Sequence, residues 1–187
     1  EKGASGKLDE EEKNDEDDPE YFVENYFRIL EDLLDRQVKE KFNLKKKSKI
    51  SAKVGYSLLH LSCKAVNNDI IMALLGEFKI PLNQRSVYGE SELHCFIAKV
   101  PETDENEKIF DMLIQRGANV EARDLKLNTP LLLSVKNSKP RFLKILLKFN
   151  ALINAQDIEG NYPLLQAVKS RQLQNVITLA ENGADPN

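Results

Sequence analysis

The sequence has few of the features on which secreted and membrane proteins depend. Its 187 residues include only two cysteines, too few for a disulfide framework, and these form no CxxC or Cys/His motif for a metal. No stretch approaches the ~18 apolar residues of a membrane span, and the charged N-terminus has no apolar signal-peptide core. We therefore expect a protein of the cytosol or nucleus, with Cys63 and Cys95 as buried structural thiols.

Motifs for catalysis and cofactor binding are also missing. Only two histidines, His60 and His94, are present, and the pattern places no nucleophile or partner acid beside them. No phosphate-binding loop or hydrolase elbow occurs, since GASGK near the N-terminus lacks the required spacing. We therefore predict no catalytic residue, no metal site and no cofactor.

Charge is distributed unevenly along the chain. Residues 1–20 hold ten acidic residues and three lysines, a net of −7, so the remainder carries +4 within a total of −3. The acidic tail, residues 1–18, has almost no apolar content and is expected to be disordered. An Asp-Pro step then begins a predicted amphipathic capping helix at about 19–42. The basic run LKKKSK completes this N-terminal segment, 19–50, as a linker or as a nuclear localisation signal.

From about residue 52 the chain repeats itself four times. The phrases GYSLLHLSC, GESELHCFI, LNTPLLLSV and GNYPLLQAV follow one another at intervals of 34, 38 and 33 residues. A period near 33 with a T-P-L-H-like core is typical of ankyrin repeats, and residues about 52–187 resemble that family. The resemblance implies an all-α ankyrin-repeat solenoid of helix-turn-helix units with β-hairpin fingers. The predicted repeats span about 52–85, 86–123, 124–156 and 157–187, and we expect the array to continue beyond them.

Each repeat carries local signals for its turn and helices. Glycine at the start of three phrases suits a turn with positive φ. Leu127 replaces it in the third repeat and predicts a turn that is strained or of a different type. Ser57, Ser91 and Thr129 stand where a hydroxyl caps the first helix. About five inserted residues within KVPETDENEK predict an acidic bulge between the helices of the second repeat.

The resemblance implies that the function is recognition of another protein through the finger tips and the concave face of the first helices. The first residue of each tip is aliphatic, which predicts an exposed apolar row for a partner. In the alternative interpretation these side chains lie back on neighbouring hairpins. The tip positions are Val87, Tyr88, Glu90, Leu125, Lys126, Asn128, Ile158, Glu159 and Asn161.

A second predicted surface is a positive stripe along the first helices. It would receive an acidic partner segment or the chain's own acidic tail; ordinary solvation of surface lysines is the alternative. Nucleic acid is not the expected partner, because the stripe has no interleaved aromatic residues. The stripe consists of Lys64, Lys99, Lys136 and Lys169.

These features predict a non-catalytic scaffold or adaptor whose partner is another protein. By the same resemblance, the two histidines have a structural role between adjacent repeats. Two other functions stay open. One is an inhibitor similar to the I-kappa-B group, which masks a transcription factor; the other is a substrate-targeting module of a larger enzyme or channel. No residue of the chain distinguishes these alternatives.

Overall fold

The computed structural model describes residues 55–76 and 80–186. In these two ranges the chain forms eight α-helices and no β-strand, which confirms the predicted all-α class. The predicted acidic tail, capping helix and basic linker lie outside the described residues. The helices are α1 (Leu58–Lys64), α2 (Asn68–Gly76), α3 (Glu92–Lys99), α4 (Asp104–Gln115), α5 (Pro130–Lys136), α6 (Pro140–Lys148), α7 (Pro163–Lys169) and α8 (Leu173–Glu181).

The helices pack as four consecutive pairs stacked in two rows. Helices α1, α3, α5 and α7 contact one another in sequence and form the first row, and α2, α4, α6 and α8 form the second. Each first-row helix also packs on the second-row helix that follows it. Because one such pair cannot bury both of its faces, stacking on neighbours supplies the core. The predicted solenoid is confirmed.

Three phenylalanines join the second and third helix pairs. Phe96, Phe110 and Phe142 are fully buried, and their ring centroids lie 5.4, 5.6 and 4.7 Å apart. Tilted and edge-on aromatic pairs at these distances stabilise a core beyond the area that they bury. The cluster therefore anchors the middle of the array.

The two histidines connect successive repeats. The Ser57 N–H donates to His60 Nδ1 at 3.2 Å, so the ring carries its proton on Nε2, which donates to the Glu90 carbonyl at 3.0 Å. His94 makes the equivalent bond to the Asn128 carbonyl at 2.9 Å. Burial lowers the pKa of His60 to about 4 and also lowers the pKa of His94. Both rings are thus neutral links between repeats.

The two cysteines are buried in the first row. Cys63 and Cys95 are free thiols with almost no exposed surface. Burial raises the pKa of both thiols well above the ordinary range. Since the thiolate is the reactive form, both behave as small apolar residues.

The insertion in the second repeat does not form the predicted bulge. It lengthens α4 to 12 residues, against nine in α2, α6 and α8, and its acids reach the next repeat. The Glu102 carboxylate accepts the N–H groups of Arg141 and Phe142 at 2.7 and 2.9 Å. Arg141 also pairs with Asp104 and Glu107, at 2.8 and 2.5 Å. The N-terminus of α6 attracts these carboxylates because its first N–H groups lack partners within the helix.

Leu127 adopts the strained conformation that its position predicts. Its φ is +59°, in the turn where Gly89 and Gly160 have φ of +73° and +78°. A left-handed conformation costs a residue with a side chain about 1 kcal/mol or more. The third repeat keeps the turn geometry despite this cost.

Candidate functional site

Three tight turns precede helices α3, α5 and α7. In the second of them, the Asp124 N–H donates to the Asn128 carbonyl at 3.2 Å, and Asp124 Oδ1 accepts the N–H groups of Lys126 and Asn128, both at 2.8 Å. The other two turns are closed in the same way. No strand ladder extends these turns in the described ranges, so the expected β-hairpins are reduced to single turns. We name them fingers 1, 2 and 3: residues 86–90, 124–128 and 157–161.

Backbone hydrogen bonds tie each finger to the next. The Leu125 N–H donates to the Tyr88 carbonyl at 2.9 Å, and the Ile158 N–H donates to the Lys126 carbonyl at 3.0 Å. Gly89 permits this approach, because a Cβ atom there would lie 3.0 Å from the Leu125 nitrogen. The fingers thus form one continuous row held by main-chain bonds.

Five apolar side chains of this row are exposed to solvent. The exposed fractions are 51% for Val87, 53% for Tyr88, 67% for Leu125, 42% for Leu127 and 68% for Ile158. These values fit the predicted exposed apolar row, although Val87 Cγ1 also lies against Gly55 of the preceding turn. We name Val87, Leu125 and Ile158, which share one position in the three fingers, the aliphatic strip; its role in binding stays a prediction.

The asparagines expected at the tips are instead buried. Asn128 and Asn161 have little exposed surface, and each accepts a hydrogen bond from a lysine of the helix that follows. Lys136 Nζ lies 2.7 Å from Asn128 Oδ1, and Lys169 Nζ lies 2.6 Å from Asn161 Oδ1. Glu90 is half-buried at the same position of finger 1. Asn128 and Asn161 thus hold fingers 2 and 3 to the helices that follow, and a role of these three positions in binding a partner stays a prediction.

The four lysines of the predicted stripe do not all occupy equivalent positions. Lys64 Nζ lies 2.6 Å from Tyr56 Oη, so that three of the four lysines bond to a residue eight positions earlier. Lys136 also bonds to Asp157 of the next repeat at 2.7 Å. In the second repeat the position eight residues after the end of finger 1 is occupied by Ala98, and Lys99 follows it. Lys136 and Lys169 therefore stabilise fingers 2 and 3, and a role of the four lysines in binding stays a prediction.

Asp157 shows the electrostatic strength of this arrangement. Burial would raise the pKa of its carboxyl group, but hydrogen bonds from Lys136, Asn161 and the Glu159 N–H outweigh burial and lower the pKa to about 2. The carboxylate is therefore charged and fully engaged at neutral pH. Finger 3 is held rigidly in place.

Two arginines beside the strip were missed by sequence reasoning. Arg85 donates to the carbonyl of Arg123, and Arg123 Nη1 donates to the carbonyl of Gln156 at 3.1 Å. These residues share one register position, directly before each finger. Neither arginine forms an ion pair with an acid among the described residues. The repeated basic residue at this position was the available signal.

The remaining tip residues, Lys126 and Glu159, are exposed as expected. The part of the chain that the structure describes contains no group of three or more His, Cys, Asp or Glu side chains placed to hold a metal ion. None of its helices is both long and apolar enough to cross a membrane. The arrangement presents apolar and cationic side chains on a rigid backbone.

Comparison with known proteins identifies similar sequences. The family model for ankyrin repeats, in three copies, matches residues 102–187. A probable serine/threonine-protein kinase of Dictyostelium discoideum is 32% identical over 93 residues. The match covers 50% of this chain and 11% of that kinase. The matched half of the chain therefore spans about a tenth of its relative's length.

Proposed function

Because this chain carries ankyrin repeats, we propose that it is a non-catalytic scaffold or adaptor that holds a partner protein on the aliphatic strip. The observation that carries the proposal is the exposure of Val87, Leu125 and Ile158, by half to two thirds, at equivalent positions of three fingers. Apolar side chains that recur in line at exposed positions are typical of an interaction surface.

The rigidity of the fingers supports this function. Each turn is closed by its own backbone and side-chain hydrogen bonds, and successive turns are bonded to each other. A preorganised surface loses little conformational entropy when a partner binds. Tyr88 adds an aromatic side chain, a type enriched among the residues that dominate binding energy. Residence in the cytosol or nucleus, where two free thiols persist, belongs to the same proposal.

The test is capture of partners from cell lysate with the full 187-residue chain, identification by mass spectrometry, and affinity measurement for each captured protein. Val87→Ser, Leu125→Ser and Ile158→Ser are combined in one variant. Since truncation of a dominant contact costs ~2 kcal/mol or more, we expect at least a ~100-fold loss of affinity.

The matched control combines Leu152→Ser and Leu173→Ser, which remove aliphatic side chains that are 60% and 71% exposed outside the fingers. The control is expected to bind like the parent chain, and both variants should keep its helical circular dichroism. Equal affinity of the finger variant and the parent chain would rule out the strip as the binding site.

A second candidate function is that of a targeting module in a larger enzyme. The match to a protein kinase favours this function, because the matched residues make up only 11% of that kinase. An antibody against the array would then detect a cellular protein much larger than 21.3 kDa, and the immunoprecipitate would phosphorylate the captured partner. Absence of a larger protein would exclude this candidate. The I-kappa-B-like function gains no support from these observations.

A further inference from the structure

Three cations flank the aliphatic strip without an acid to neutralise them. Arg85, Arg123 and Lys126 form no ion pair within the described ranges. The acids of the fingers are occupied instead: Glu90 accepts the Tyr56 hydroxyl at 2.7 Å. Asp124 and Asp157 receive hydrogen bonds from their own turns. Positive charge is therefore available to a partner, whereas most of the negative charge is not.

The two arginines keep donors free for a carboxylate. A guanidinium group carries five N–H donors. Arg85 uses Nε on the Gly89 carbonyl and Nη2 on the Arg123 carbonyl, and Arg123 uses Nη1 on the Gln156 carbonyl. These bonds fix the guanidinium groups at the edge of the strip. A fixed, partly exposed arginine is well suited to paired hydrogen bonds with a carboxylate.

We propose that the aliphatic strip binds a peptide segment of another protein in which aliphatic residues alternate with Asp or Glu. This inference rests on the proposed function and specifies the chemistry of the partner. The aliphatic residues pack on Val87, Leu125 and Ile158. The carboxylates pair with Arg85 and Arg123.

The distribution of charge along the fingers also sets the orientation of the segment. At finger 3 the arginine register position holds Gln156, and the tip carries the exposed Glu159. A carboxylate of the partner would be attracted at fingers 1 and 2 and repelled at finger 3. The acidic residues of the segment therefore lie over fingers 1 and 2, and its end over finger 3 is neutral or basic.

The chain's own acidic tail fits this surface less well. The tail, residues 1–18, contains one large aliphatic side chain, Leu8, and its acidic run, DEEEKNDEDD, contains none. Its acids therefore match the arginines but do not alternate with aliphatic residues that could cover the strip. A separate protein that carries both residue types matches both.

The experiment is selection of random 12-residue peptides, displayed on phage, against the full chain, followed by affinity measurement with a synthetic peptide of the selected sequence. We expect enrichment of Asp and Glu between Leu, Ile or Val, and an affinity that falls as salt rises. Combining Arg85→Gln and Arg123→Gln should weaken binding at least tenfold and reduce the salt dependence. Glutamine already occupies this register position as Gln156, so the fold should tolerate the change.

A matched control removes two positive charges from the second row, by Lys108→Gln and Lys144→Gln, which are both exposed; it should bind like the parent chain. Peptides without acidic enrichment, or equal affinity for the arginine variant, would overturn the proposal. If the serine variant of the strip alone loses the peptide, the proposed function stands and this inference fails. Binding that appears only after residues 9–18 are neutralised would identify the chain's own tail as the occupant and would also overturn it.

Discussion

Two lysines of first-row helices form hydrogen bonds with the fingers that precede those helices. Each lysine lies eight residues after the last residue of its finger. Lys136 Nζ bridges Asn128 Oδ1 and Asp157 Oδ2, both at 2.7 Å, and so joins finger 2 to finger 3. The second repeat lacks this bridge because Ala98 occupies the lysine position. The two acceptors are nevertheless present there, since Glu90 and Asp124 correspond to Asn128 and Asp157.

Ala98→Lys should therefore stabilise the array. The new ammonium group would reach Glu90 and Asp124, and a partly exposed ion pair contributes about 0.5–1 kcal/mol. For a chain of this size, that gain corresponds to a rise in melting temperature of about 1–4 °C. Thermal unfolding followed by circular dichroism measures it. Ala98→Gln, which has no charge, should give a smaller rise, and the difference between the two variants should shrink in high salt; equal rises in both variants would contradict the ion-pair explanation.

At the scale of elements, the linker of the second repeat serves as the cap of a helix in the third. The residue before α6 is Lys139, whose side chain makes no capping hydrogen bond. Glu102 supplies the missing acceptor from the preceding repeat. The charge also interacts favourably with the positive end of the helix dipole.

Glu102→Ala is expected to lower the free energy of unfolding by about 1–2 kcal/mol, the range of a lost N-cap or a charged hydrogen bond. Urea denaturation measures the loss. Glu105→Ala is the control, because Glu105 is exposed in the first turn of α4 and forms no ion pair or side-chain hydrogen bond with α6 among the described residues; its effect should stay within ~0.5 kcal/mol. A similar loss in both variants would mean that α4 itself, and not the cap of α6, is affected.

At the scale of the whole molecule, the sequence predicts what depends on local spacing. The period of the four phrases predicts the paired helices, and the tip positions predict the exposure of Val87, Leu125 and Ile158. The positive φ of Leu127 agrees with its position in the turn, where the neighbouring repeats have Gly89 and Gly160. These features follow from the repeat pattern because each repeat presents the same turn and the same faces.

The sequence did not predict contacts that cross from one repeat to the next. The capping of α6 by Glu102 spans 39 residues or more, and the bond between Lys136 and Asp157 spans 21. The tip residues Asn128 and Asn161 are buried where a lysine of the following helix bonds to them, a contact that the prediction of exposed tips did not include. The recurrent eight-residue interval between Lys136 and Asn128, and between Lys169 and Asn161, is the signal that would have shown it.

Buried ionisable groups give the stability of the molecule a defined pH dependence. The pKa of His60 in the fold, about 4, lies below its ordinary value of 6.5, so protons bind the unfolded chain preferentially below pH ~6.5. His94 acts in the same direction. Burial raises the pKa of Glu92, although hydrogen bonds from the N–H groups of Asn83 and Glu92 act in the opposite direction. As the pH falls, protonation of Glu92 therefore stabilises the fold, whereas protonation of the histidines destabilises it. The lowered pKa of Asp157 matters only below pH ~4.

The free energy of unfolding should therefore fall between about pH 7 and pH 4.5, with His60 contributing about 2 kcal/mol of the loss. Urea denaturation across this range measures how the free energy of unfolding depends on pH. A loss of packing lowers this free energy equally at each pH, whereas titration of a histidine changes its slope. His60→Gln should be less stable than the parent chain at neutral pH but should show a shallower slope. Glu92→Gln removes the opposing group and should show a steeper slope. If His60→Gln and the parent chain have parallel profiles, the neutral histidine does not control the acid sensitivity of the array.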